Sequence, residues 1–290
     1  MSRRDISIKE KISWKKELPH LPGYIIVGIW VIFTFILIGW ILLASLSTTR
    51  DIFSGNVLKF TSGIQPNNYV KAWNDQNVST YFINSLIYTT ISCTLLILIA
   101  APAAYVLSRF HFFGSAVIQN LLATAMGIPL IMIIMPLFSL SSKFHTGDSK
   151  GMLIFLYICI NIPFTTFFLN TFFHNLPTTF EEAAAIDGCT PIMTFWKIML
   201  PLAQQGIITV TIFNFIAIWN EYFISLIFAN SPDNRPVAVG LYSMIQSMRY
   251  TGDWGGMFAA VVIVFLPTFV LYIFLSEKII AGVTGGGIKG

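Results

Sequence analysis

Long apolar runs alternate with short polar stretches along this chain. About 20 consecutive apolar residues are enough for a helix to cross a hydrocarbon core. Six runs approach or exceed that length, at about 24–46, 83–107, 117–139, 151–172, 205–229 and 256–276. Lipid offers no partner to a backbone N–H or C=O, and a helix satisfies both within one segment. The pattern predicts an all-α, polytopic membrane protein with about six transmembrane helices. An even number of spans puts both termini on one side.

The polar stretches divide the chain into a leading segment, 1–23, and one transmembrane domain, 24–290. Arg3, Arg4, Lys9, Lys11, Lys15 and Lys16 cluster just before the first span. Basic residues beside the first span favour the cytoplasmic side, so both termini are expected in the cytoplasm. The Lys/Arg bias over the other loops is small. A long outer loop then covers about 47–82, with a turn signal at Pro66-Asn67-Asn68, and a second polar outer loop lies around Asn230–Arg235. Asn77-Val78-Ser79 has the form of a glycosylation sequon, a three-residue pattern too weak to use. The run from Tyr24 to Leu46 is too long for the apolar part of a signal peptide, roughly 7–15 residues, and reads as a retained first helix.

Composition agrees with a lipid-facing surface. Of 290 residues 55% are hydrophobic and 10% charged, against about 25% charged in a soluble domain. The net charge of +4 forms no basic patch of nucleic-acid type, so no nucleic-acid partner is expected. Cys93, Cys159 and Cys189 have neither disulfide-framework nor zinc spacing. His20, His111, His145 and His174 are scattered, without metal or triad spacing. No metal site and no catalytic residue is expected. The chain has no internal repeat and no second soluble domain.

The loop between the fourth and fifth spans, about 173–203, carries the most specific pattern. Thr179 and Glu182 have capping-box spacing. Glu181 and Glu182 lie where the helix dipole favours negative charge. Ala183, Ala184 and Ala185 are strong helix formers with little bulk. After Asp187, Gly188 suits a helix stop because it accepts a left-handed backbone. Thr190 can cap a second helix, with Pro191 in its first turn, running through Trp196 to about Met199 and ending near Pro201. The pair makes a helix–turn–helix at the membrane surface. Alanines flanked by carboxylates let a partner's backbone approach closely and offer it charge.

This segment resembles the EAA loop of ABC-importer permeases, a Glu-Ala-Ala followed after three residues by Gly and after nine more by Ile-x-Leu-Pro. Here it reads Glu182-Ala183-Ala184, Gly188 and Ile198-Met199-Leu200-Pro201. Trp219-Asn220-Glu221-Tyr222, Asp253-Trp254-Gly255 with Ala259-Ala260, and the tail Gly285–Gly290 resemble the carbohydrate branch, in particular the maltose-transporter-type second permease. The likeness covers roughly 65–290. Gln205 stands where many relatives have proline, and Cys189 where alanine is common.

The resemblance implies a permease subunit in a bacterial cell membrane, carrying a sugar or oligosaccharide by alternating access. It implies as partners a second homologous permease, two ATPase subunits and an extracytoplasmic solute-binding protein. Glu181, Glu182, Ala183, Ala184, Asp187 and Gly188 would couple to the ATPase, and Lys289 in the cytoplasmic tail, 277–290, would lie near that interface. No cofactor is implied for this chain, and ATP and Mg would be bound by the ATPase. The residues agree that this chain is not the motor. In the tail Ile288 separates Gly287 from Lys289, and no Ser or Thr follows, so it is no phosphate-binding loop.

An ionisable group inside a span is costly and marks function. Glu221 lies near the outer end of the fifth run. Asn214 is seven residues earlier on the same helical face, and Asn220 adjoins it. That face lines the translocation path, contacts the partner permease, or serves only to orient the helix end. The chain has 26 phenylalanines, so aromatic content marks no sugar subsite. The competing reading is an ion-coupled secondary transporter or channel, for which intramembrane charges are scarce here.

Overall fold

A computed structural model describes residues 18–285, except His145, with the side chains of Arg249, Thr251 and 276–285 left aside. The N-terminal basic cluster and Lys289 lie outside the described residues. The helices are α1 (Leu21–Ser45), α2 (Thr49–Phe53), α3 (Asn67–Asn74), α4 (Val78–Arg109), α5 (Ser115–Met126), α6 (Leu130–Lys143), α7 (Lys150–His174), α8 (Thr179–Ile186), α9 (Pro191–Leu202), α10 (Gln204–Trp219), α11 (Phe223–Phe228), α12 (Val237–Thr251) and α13 (Trp254–Gly285).

Among the described residues α1, α4, α7 and α13 are each long and apolar enough to cross a membrane. Two further spans arise if each of two bent pairs counts as one. The pair α5 and α6 bends by 101°, and α9 and α10 by 72°. The apolar runs thus form four unbroken spans and two bent pairs, up to six spans in all, and two of the runs differ from straight helices. The third run breaks at Gly127-Ile128-Pro129. Pro129 has no N–H to donate and biases Ile128 toward an extended backbone. The fifth run was expected to continue to 229, yet α10 stops at Trp219 and α11 resumes only at Phe223. The outer loops also hold more structure than their polarity suggests, with α2 and α3 in the first and α12 in the second.

The core sits where α4 lies along α7. Tyr88 and Tyr157 meet edge to face at 6.2 Å, and Leu153, Leu156, Ile218 and Phe228 close around them. Towards the other end of α4, buried Ala101 and Ala104 face Leu169, Phe173 and Val210. Apolar burial drives little between helices that already lie in lipid, so small residues that permit close packing matter more. Gly206 is one such position, since a Cβ there would stand 2.6 Å from the Phe172 ring. The first span rides on the outside of the bundle, against α13, with Trp40 edge-on to Phe258 at 5.2 Å.

Polar contacts fasten the end of the bundle that carries α2 and α3. Asp253 accepts from the Gly256 N–H at 3.2 Å and from Gln76 at 3.0 Å, and Asn68 donates to the Ser45 and Ser47 carbonyls. The turn 231–235 is held in the same way. Asn84 donates to the carbonyls of Asp233 and Arg235, Tyr88 to that of Asn234, and Asp148 accepts from the Ser231 N–H and the Asn234 amide. Partial burial alone would raise the Asp148 carboxyl. The bonds from Ser231, Asn234 and Asn230 outweigh it and hold the group below its ordinary value.

Candidate functional site

The loop 175–203 emerges from α7 at the other end of the bundle. Its first helix begins at Thr178, whose backbone is already helical and whose hydroxyl donates to Glu182 at 3.3 Å. The expected capping box on Thr179 therefore does not form. Thr179 is the first residue inside the helix, and Thr178 contacts Glu182 four residues on. The C-terminus forms as the sequence implied. Gly188 has φ +76, its N–H reaches the Ala185 carbonyl at 3.1 Å, and the Cys189 N–H reaches that of Ala184 at 2.9 Å. These two bonds are the Schellman stop. The Thr190 hydroxyl accepts from the Met193 N–H at 3.3 Å, and Pro191 opens α9.

The two short helices are anchored differently. Within α9 a π-turn, Phe195–Met199, buries Phe195 and Met199. Phe195 lies 5.1 Å from the Tyr105 ring and 6.3 Å from that of Phe173. This ties α9 to both α4 and α7. By contrast α8 stands out, with Ala184 turned in while Glu182, Ala183, Ala185, Asp187 and Gly188 are exposed. Ile186 is 87% exposed and Ile192 is 74% exposed. Ile186 stands open among the exposed carboxylates of Glu182, on the same short helix, and Asp187, its C-cap.

Glu181 does not share that surface. Its carboxylate accepts from Arg109 Nε at 3.2 Å, and Arg109 Nη2 donates to the Leu176 carbonyl at 2.7 Å. Arg109 closes α4. Its partner lies 72 residues away, so no local pattern identifies the pair.

The residues expected on a path separate as well. Asn214 is buried, and its amide donates to the Thr165 hydroxyl of α7 at 2.9 Å. Glu221 sits in the break between α10 and α11. Its carboxylate accepts from the N–H of Ile224 at 2.6 Å and of Ser225 at 3.1 Å, from Ser225 Oγ at 2.6 Å and from Tyr157 of α7 at 3.2 Å. Both residues thus face α7, and the broken end of α10 is pinned there. Asn220 is exposed, with its amide on the Ile216 carbonyl at 2.8 Å. Across the break Tyr222 meets Tyr242 of α12 edge-on at 5.4 Å. Among the described residues no group of three His, Cys, Asp or Glu could hold a metal ion.

Residues 93–276 match the family of binding-protein-dependent transport system inner membrane components. The chain belongs to this family. The permease is 32% identical over 261 residues to the diacetylchitobiose uptake system permease protein NgcG of Streptomyces coelicolor, covering 90% of this chain and 86% of that one. It is 28% identical over 279 residues to the probable starch degradation products transport system permease protein AmyC of Thermoanaerobacterium thermosulfurigenes, covering 96% and 99%. It is 28% identical over 251 residues to the trehalose transport system permease protein SugB of Mycobacterium tuberculosis, covering 87% and 91%. A chain in the crystal structure of a bacterial ABC transporter that imports the acidic polysaccharide alginate superposes with a TM-score of 0.79 at 21% identity, over 92% of this permease and 98% of that chain. That likeness establishes the fold. The permease is a multi-pass cell-membrane subunit of an ABC importer, and its family is a transport component rather than an enzyme. An ion-coupled carrier or channel finds no support among these relatives.

Proposed function

We propose that this permease carries a sugar or oligosaccharide, and that α8 and α9 are the helices through which an ATPase drives it. The observation that carries the coupling role is the exposed face of α8, where Glu182, Ala183, Asp187 and Gly188 lie together beside Ile186. Support for the substrate class comes from the relatives, which are named for diacetylchitobiose, starch degradation products and trehalose. In this reading the α8 end of the bundle is cytoplasmic, and so are both termini. Two ATPase subunits bind ATP and Mg, with one docking on α8, and the tail with Lys289 reaches toward their dimer. A second homologous permease completes the pore, and an extracytoplasmic solute-binding protein delivers the solute to the opposite end.

The broken fifth span belongs to the translocation path. Asn220 is its exposed polar group, while Asn214 and Glu221 set the wall by holding α10 and α11 against α7. Transport then follows alternating access, in which ATP binding closes the motor, α8 moves, and the spans exchange inward for outward access.

The test is co-purification from cells expressing the whole importer. Glu182→Ala and Gly188→Val are each expected to lower the ATPase recovered with the tagged permease by roughly tenfold, with the permease itself still in the membrane. Gly188→Val acts by forcing a branched residue into a left-handed backbone. Full recovery of the ATPase with both variants removes α8 from the docking site. ATP-dependent uptake of labelled oligosaccharides into proteoliposomes tests the substrate class, and failure of every carbohydrate tried while another binding-protein ligand enters would refute it.

A further inference from the structure

Glu181 and Glu182 are adjacent in sequence but point to different sides of α8, because successive residues on a helix are about 100° apart. The Glu182 side chain is exposed, whereas Glu181 and Arg109 retain only 19% and 10% of their side-chain exposure. Between α8 and the end of α4 lies a cleft of about 270 Å³, lined by Tyr105, Arg109, Thr178, Glu181, Ala185 and Thr194. The Arg109–Glu181 pair bridges this cleft. The same guanidinium holds the Leu176 carbonyl, in the segment that joins α7 to α8. Arg109 also sits in the last turn of α4, where positive charge is favoured by the helix dipole. One planar, permanently charged group therefore ties α4, the start of the loop and α8 in a fixed geometry.

At its other end α4 holds the 231–235 turn through Asn84 and Tyr88. Asn84 and Arg109 stand 25 residues apart on α4, or roughly 38 Å at 1.5 Å per residue. A displacement of α8 thus has a continuous connection through the membrane to the opposite face.

We propose that Arg109 is a positioning residue for energy coupling. Through Glu181 it makes α4 follow α8, and it takes no part in the contact with the ATPase itself. The proposal rests on α8 being the docking helix, with Glu182 facing the ATPase and Glu181 facing the permease.

The experiment uses the complete importer in proteoliposomes, with its binding protein and a transported solute, and compares Glu181→Gln, Arg109→Gln, the double variant and Arg109→Lys. Glu182→Ala serves as the docking control. ATPase retained on purification and solute moved per ATP hydrolysed are measured separately. The expected result is wild-type ATPase retention for the Glu181 and Arg109 variants with transport per ATP reduced roughly fivefold to tenfold. The double variant should be no worse than Arg109→Gln alone, since that variant already loses both the Glu181 and the Leu176 bonds, and Arg109→Lys should recover part of the loss.

An unchanged ratio, additive losses, or loss of the ATPase in Glu181→Gln would each overturn the proposal. Should Arg109→Gln fail to assemble, the near-isosteric Glu181→Gln still decides it by its ratio. Glu182→Ala that keeps the ATPase bound would instead refute the docking reading, a separate result.

Discussion

Glu221 has four hydrogen bonds on two oxygens, and two of them come from the Ile224 and Ser225 N–H groups in the first turn of α11. A charged acceptor is well suited there, since bonds to ionised groups are stronger than neutral ones. Glu221→Gln turns one acceptor into a donor that faces N–H and hydroxyl donors. It is expected to destabilise the permease by about 1–3 kcal/mol, read as a lower melting temperature in detergent, and to reduce uptake in proteoliposomes. Unaltered uptake by a normally assembled complex would take Glu221 out of the path. An unaltered melting temperature would take away its role as the cap of α11. The sequence marked Glu221 through its charge in an apolar run, but it left open whether the group lined a path, met a partner or oriented a helix end. Its bonds to Tyr157 and Ser225 show what holds the carboxylate, and the uptake measurement decides among the three.

At the scale of elements, the loop 175–203 was legible because its geometry is local. Gly188, Thr190 and Pro191 act on neighbours within five residues, and a one-dimensional reading captures such rules. The break at Pro129 is also local chemistry, yet it lay hidden inside an unbroken apolar run. The end of α10 at Trp219 had no such marker. Contacts between elements follow a different logic, and Gly206 illustrates it. Its Cα faces the Phe172 ring so closely that Gly206→Val is expected to push α10 from α7, costing about 1–3 kcal/mol. Gly39, in the outlying α1, has nothing within 4 Å of a built Cβ, so Gly39→Val is its neutral control. Thermal unfolding of both in detergent checks the difference, and equal melting temperatures would deny the close approach any structural weight.

For the molecule as a whole, the two ends of the bundle differ in how they are held. The α8 end is open and is joined to the spans through Phe195 and through Arg109. The other end is knotted by Asp148, Asn84, Asn68 and Asp253. Asp148 makes part of that stability depend on pH. Its carboxyl is held below the ordinary value in the folded permease, so the unfolded chain binds more protons in the window between the two values. The contribution is complete above about pH 4 and is lost as pH falls through the folded value. Melting curves taken between about pH 3 and pH 7 are expected to decline at the acid end. Asp148→Asn should lower the melting temperature near neutrality and flatten that decline. An acid limb of unchanged slope in Asp148→Asn would assign it to other groups.

The sequence by itself determined the solvent, the number of apolar runs and the coupling motif, because each follows from residues close together in the chain. Tertiary structure alone decided which faces of the helices are inside. A helix in lipid is apolar all round, so the period that reveals a buried face in water is nearly absent here. It likewise decided that Asn214 and Glu221 both turn to α7, and that Arg109 meets Glu181 across the cleft beneath α8. Those pairings join groups distant in the chain, and they form only when packed spans bring their ends together.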